Sequence, residues 1–186
     1  MRKLTVTLIL AAGILMSGCL TLATHPFYND DDVVYVPEVD GVWSNLEDGG
    51  RWTFVPDDDS LSYVVFTSEE DKPDGEFEGH LFRLDGVLYM DLFPAEPSQV
   101  SDFQLAHMLP THSVWRVTIE KGTLTLDYID NDAFKKAVRD KRFDIEHMYQ
   151  DDFVVLTADT PKLQSFLKQQ MASLISDDPF VLHREE

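Results

Sequence analysis

The chain has a single cysteine, Cys19, so no disulfide can form within it. Any fold must stand on its hydrophobic core alone. Basic residues are scarce as well: 15 Lys and Arg face 34 Asp and Glu, a formal net charge of −19. A chain so acidic is repelled by nucleic acid and by anionic lipid surfaces, so nucleic-acid binding is excluded as a primary role. After residue 18 no apolar run of about 18 residues occurs, which excludes a helical membrane span there. The sequence also lacks a Gly-x-Ser-x-Gly elbow, a His-Glu-x-x-His pair, a Walker loop, a dinucleotide fingerprint and any internal repeat. No residue set is therefore assigned to catalysis, and no cofactor is called for.

What is present begins at the N-terminus. Arg2 and Lys3 precede an apolar run over 4–16, interrupted only by Thr5 and Thr7, and the small pair Ser17-Gly18 follows. Basic, apolar, small is the order of a secretory signal peptide. Met16-Ser17-Gly18-Cys19 resembles the bacterial lipobox, in which cleavage falls between Gly18 and Cys19 and lipid is joined to the cysteine. The resemblance covers 1–19 and implies acyl chains on Cys19. More than one chain anchors a protein stably, because each buried methylene adds about 0.8 kcal/mol. It also implies a bacterial envelope location, and Leu20, rather than Asp, fits an outer-membrane lipoprotein if the source is Gram-negative. Lipid on Cys19 leaves no thiol for nucleophilic chemistry.

Residues 1–18 thus read as a signal peptide and 19–40 as a lipidated start and tether. His25-Pro26, Asn29-Asp30-Asp31-Asp32 and Pro37 give the second stretch its loop character. Fully extended, some 20 residues reach roughly 70 Å. Within it, 33–36 is β-like and offers an edge strand. Residues 41–186 form one domain. Short runs rich in aromatic and β-branched residues cover 52–55, 61–67, 77–84, 87–93, 113–119, 123–129, 143–147 and 153–157. Asp85-Gly86 and Lys121-Gly122 are tight hairpin turns, so consecutive runs make an antiparallel meander. Helices are expected at 131–139, over 100–108, and from Thr160, where Leu163, Phe166, Leu167, Met171, Leu174 and Ile175 form a stripe.

The predicted fold is mainly β (α+β), an antiparallel meander closed into a barrel or strongly curved. One short inserted helix and a C-terminal helix pack on it. With Gly41-Val42-Trp43 at its start, this layout resembles the lipocalin-like small β-barrels. That resemblance implies an interior able to take one ligand, lined here from Trp43, Phe66, Phe82, Tyr89 and Trp115. The same aromatics also suit a plain core.

Other candidates are weaker. Strand positions bring His80, His112 and His147 toward Asp91, but zinc requires three or four converging ligands and nothing local fixes them. The histidines are read as hydrogen-bonded or surface groups, and no metal is assigned. The acidic runs 30–32 and 57–59 lack the alternating spacing of a calcium loop and suit turns. Lys135, Lys136, Arg139, Lys141 and Arg142 concentrate positive charge and form a possible interaction patch. Two functions are carried forward. One is a membrane-anchored, non-catalytic module binding an apolar or amphipathic small molecule. The other is an interaction lipoprotein that docks onto an envelope protein with its core filled.

Overall fold

The computed structural model describes residues 20–47, 49–57, 61–69, 74–96, 100–150 and 153–185. Eight strands form a closed antiparallel barrel: β2 (Gly41–Ser44), β3 (Arg51–Pro56), β4 (Ser62–Ser68), β5 (Gly75–Leu84), β6 (Val87–Pro94), β7 (His112–Glu120), β8 (Thr123–Tyr128) and β11 (Phe180–Arg184). They follow one another around the wall, and pairing of β6 with β7 and of β11 with β2 closes it. The lipocalin-like architecture is therefore the one the chain adopts. Both predicted hairpin turns form, with positive φ at Asp85, Gly86, Lys121 and Gly122. Such left-handed pairs match the twist of the strands they join.

Three strands lie outside the barrel. β1 (Thr21–Ala23) pairs with the start of β7 and, in parallel, with β10 (Phe153–Leu156), which pairs with β9 (His147–Gln150). Among the described residues the α-helices are α1 (Asp102–Leu105), α2 (Asn131–Arg139) and α3 (Thr160–Leu174). The α2 bounds are those predicted. For α3 the cap is Asp159, whose carboxylate accepts from the Lys162 N–H, while the Thr160 hydroxyl donates to the Pro26 carbonyl at 2.7 Å.

Alternation along β5, β6 and β7 builds two cores on one wall. Leu81, Met90 and Trp115 are cross-strand neighbours facing the interior, packed with Trp43, Phe54, Tyr63, Leu126 and Leu182. Phe82, Tyr89 and Val114 point outward into a second core with Phe27, Phe134, Val154, Leu163, Phe166 and Leu167. Each such large side chain contributes about 1.5–3 kcal/mol when fully buried. The α3 stripe fills this outer core.

Two expectations are corrected. Residues 20–40 are not a free tether: β1 is in the sheet, Phe27 is fully buried, Val33 bridges Phe82, and the Val34 N–H donates to the Leu81 carbonyl at 2.8 Å. Ala23, Phe27, Val36 and Val39 outweigh the loop composition of this stretch because each is buried against the folded wall. The run 143–147 is a strand only from His147 onward. Phe143 and Ile145 are spent beneath the helices, where Phe143 meets Phe166 at 5.2 Å between ring centroids.

Candidate functional site

The barrel seam is incomplete at one end. β6 and β7 pair from Tyr89 opposite Arg116 to Leu92 opposite Ser113. Toward the Asp85-Gly86 hairpin no ladder pair joins Leu88 to Val117, and the two strands part there. Between them lies a groove of about 550 Å³, lined by Arg83, Val87, Leu88, Val117, Thr118 and Ile119, with Val36 and Glu38 across its floor. Val36, Leu88 and Val117 also belong to the barrel core, so the groove is an opening onto that core.

The floor is pinned. The Tyr63 hydroxyl donates to the Val36 carbonyl at 3.0 Å and accepts from the Val36 N–H at 3.3 Å. Burial pushes its ionisation above the ordinary tyrosine value. Trp43 Nε1 donates to the Val39 carbonyl at 2.7 Å. The Arg184 guanidinium lies 4.5 Å over the Trp43 ring and donates to the carbonyls of Asp40 and Glu38. Cation–π contact and two carbonyls hold the crossing segment against the barrel end.

Charge in the groove is uneven. Arg116 is committed to Asp127, with Nε 2.9 Å and Nη2 2.8 Å from Oδ2. Arg83 is exposed and makes no hydrogen bond or ion pair among the described residues. Glu38 lines the same groove but makes no ion pair with Arg83, so in a chain where acids outnumber bases more than twofold this guanidinium is open to an anionic group from outside.

A second polar group sits on the outer face of the same wall. Asp91, 1% exposed, accepts from His112 Nδ1 at 2.7 Å and from the Phe27 N–H at 2.9 Å. His80 is opposite Asp91 in the ladder and stacks on Tyr28 at 4.4 Å. Its Nδ1 is 3.0 Å from the Tyr28 hydroxyl. Burial lowers the His80 pKa, and burial together with the Asp91 charge raises that of Tyr28 to about 12. The cluster fastens 27–28 to the wall.

His80 and His112 are thus brought to Asp91, as their strand positions suggest. His147 is elsewhere, its ring 5.8 Å from Phe134 and its Nδ1 2.8 Å from the Ile145 carbonyl. Among the described residues no group of three or more His, Cys, Asp or Glu side chains is placed to hold a metal ion.

The predicted ligand-lining residues do not share one chamber. Trp43 and Trp115 are in the barrel interior, Phe82 and Tyr89 stack in the outer core at 5.5 Å, and Phe66 is 40% exposed. None lines the seam groove. In the basic patch Lys136 pairs with Asp140 at 2.6 Å and Arg142 donates to Ser173 at 3.0 Å, while Arg139 and Lys141 are exposed. Lys135 is half-buried. Gly18 and Cys19 lie outside the described residues, as do positions 58 and 59 of the second acidic run. The groove was missed because its floor comes from the stretch read as a tether. Its one sequence signal is Arg83, which shares the inward parity of Leu81 near a strand end.

Compared with known proteins, the chain matches no family model, no curated protein and no solved structure. Among the described residues no helix is long and apolar enough to cross a membrane.

Proposed function

We propose that this protein is a bacterial envelope lipoprotein, held to a membrane by acyl chains on Cys19, whose barrel binds an apolar or amphipathic small molecule in the seam groove. The observation that carries the reading is the groove: about 550 Å³ walled on one side by Val87, Leu88, Val117 and Ile119 and on the other by polar groups that include Arg83 and Glu38. A ligand tail against Val87, Leu88, Val117 and Ile119 leaves water at roughly 25 cal/mol per Å². A negatively charged head then meets Arg83. Native mass spectrometry of residues 20–186, incubated with an envelope lipid extract, is the test. Uptake of a defined mass by the parent and its loss in Val117→Trp support the groove. No uptake, or equal uptake by Val117→Trp, sinks it. For the anchor, Cys19→Ser abolishes fatty-acid labelling if the lipobox reading is right.

The second reading, docking onto an envelope protein, is favoured by the barrel interior, which Trp43, Phe54, Tyr63, Met90 and Trp115 occupy. Exposed Arg139 and Lys141 are the first positions for cross-linking in native membranes.

A further inference from the structure

In an up-and-down barrel every second connection lies at the same end. The β2–β3 and β6–β7 connections are such a pair, opposite the end that carries the Asp85-Gly86 hairpin and the seam groove. This end carries the two most exposed large apolar side chains among the described residues, Leu46 and Phe103, whereas the opposite end has Leu61 at 53% and Val87 at 38%. Leu46 in the first connection is 74% exposed, and in the second Phe103 is 75%, Met108 54% and Leu109 49% exposed. The two connections stand across the barrel from each other, because β2–β3 and β6–β7 are separated by β4 and β5 on one side and by β11 and β8 on the other. The apolar side chains therefore flank the mouth on both sides. Inside the mouth Trp52 and Phe180 are only half-buried, their rings 5.5 Å apart.

The start of the described chain is held at the same end. Leu22 pairs with Ser113, the second residue of β7, and Leu20 bridges Asp130, two residues beyond β8. The Leu20 side chain packs against the barrel core. The next Cα toward the N-terminus is about 3.8 Å away and belongs to Cys19. Since 20–40 are built into the fold, no spacer separates a lipid on Cys19 from the barrel.

We infer that this end of the barrel rests on a zwitterionic bilayer surface, with Leu46, Phe103, Met108 and Leu109 inserted among the head groups. The inference rests on the lipoprotein reading, which places acyl chains on Cys19. Apolar side chains at loop tips, on the end where the anchor leaves, bury their surface by entering the interface. The charge of the same end selects the lipid. Glu47, Glu69, Asp74, Glu96, Asp177 and Asp178 are described acidic residues of its loops and are repelled by an anionic leaflet, while the basic residues of 135–142 lie on and just after α2, within the long connection from β8 to β11. Contact with the bilayer also turns the seam groove, at the opposite end, toward the aqueous side.

The test uses the full chain, exported, acylated and reconstituted into phosphatidylcholine–phosphatidylethanolamine vesicles. With Cys19 acylated, a single introduced cysteine is the only thiol to label. Phe103→Cys, Leu109→Cys and, at the opposite end, Glu38→Cys each receive an environment-sensitive dye, and shallow spin-labelled lipid is the quencher. Dyes at 103 and 109 are expected to shift to the blue and lose most of their emission, that at 38 to do neither. Added anionic lipid should weaken quenching at 103 and 109. If the chain is acylated and all three positions behave alike, the docking inference is overturned and the anchor stands. A blue shift at 103 that grows with protein density without lipid quenching places a second copy there, and overturns it too. Absence of acyl mass on Cys19 overturns the lipoprotein reading itself.

Discussion

The barrel interior and the outer core share a wall, yet they are made in different ways. From β2 to β8 the interior is assembled by neighbours in sequence, each strand bringing inward residues that meet those of the last, and Leu182 of β11 with Val36 and Val39 of the crossing segment completes it from afar. The outer core is assembled from afar, with Phe27 from the N-terminal stretch, Phe134 from α2 and Leu163, Phe166 and Leu167 from α3 covering Phe82 and Tyr89. One face of β5, β6 and β7 thus depends on local turns, and the other on segments that arrive separately. A strand with two apolar faces does not reveal which partners each face has.

That contrast can be broken by emptying either core. Trp43→Ala and Phe27→Ala should each cost about 3–5 kcal/mol, since both side chains are fully buried. They should differ in pattern under hydrogen exchange. Trp43→Ala exposes every barrel strand together, whereas Phe27→Ala releases 24–32, α3 and β10 while the hairpins around Asp85-Gly86 and Lys121-Gly122 stay protected. Identical exchange patterns would show one cooperative unit and remove the distinction.

A smaller cut separates packing from polar fastening. Asp91→Asn keeps the shape but weakens the bonds to His112 and the Phe27 N–H, and should cost about 1–3 kcal/mol in a denaturant titration. Smaller again is the acid response of His80. Its ordinary value is 6.5 and burial lowers it in the folded protein, so below pH 6.5 the unfolded chain takes up the proton first. The contribution is complete above pH 6.5 and is lost as pH falls toward the folded value. His80→Gln should flatten that part of the stability–pH curve; an unchanged slope would show that His80 is not its source. The smallest expected effect on stability is that of Arg83→Glu, within about 0.5 kcal/mol for an exposed side chain, with ligand uptake lost nonetheless.

The legible part of the fold is the part with local signals. Asp85-Gly86 and Lys121-Gly122 announce their turns, the alternation of Val114 to Ile119 shows two faces, and Asp130 caps α2 where the apolar face begins. The illegible part depends on distant partners. Phe27 sits in a stretch of His, Pro, Asn and Asp that reads as a linker, and the Asp91 carboxylate, the Gln164 amide and the outer core give it a place. The register that brings His80 and His112 to Asp91 could be followed along the hairpins, whereas the approach of Arg184 to Trp43 spans nearly the whole domain. The groove is harder still, because it exists where β6 and β7 fail to pair, and a sequence marks pairing more clearly than its absence.

β11 gives the barrel a late clasp. Its partners Trp43 and Ser44 wait while β3 to β10 and all three helices are made, and they receive Arg184 and His183 only then. A chain that emerges from its N-terminus therefore carries two raw sheet edges, on β2 and on β8, until its last strand arrives. Such edges are templates for pairing with other chains, so a ribosomal stall or a truncation after residue 128 leaves a sticky open sheet rather than a slightly weakened barrel.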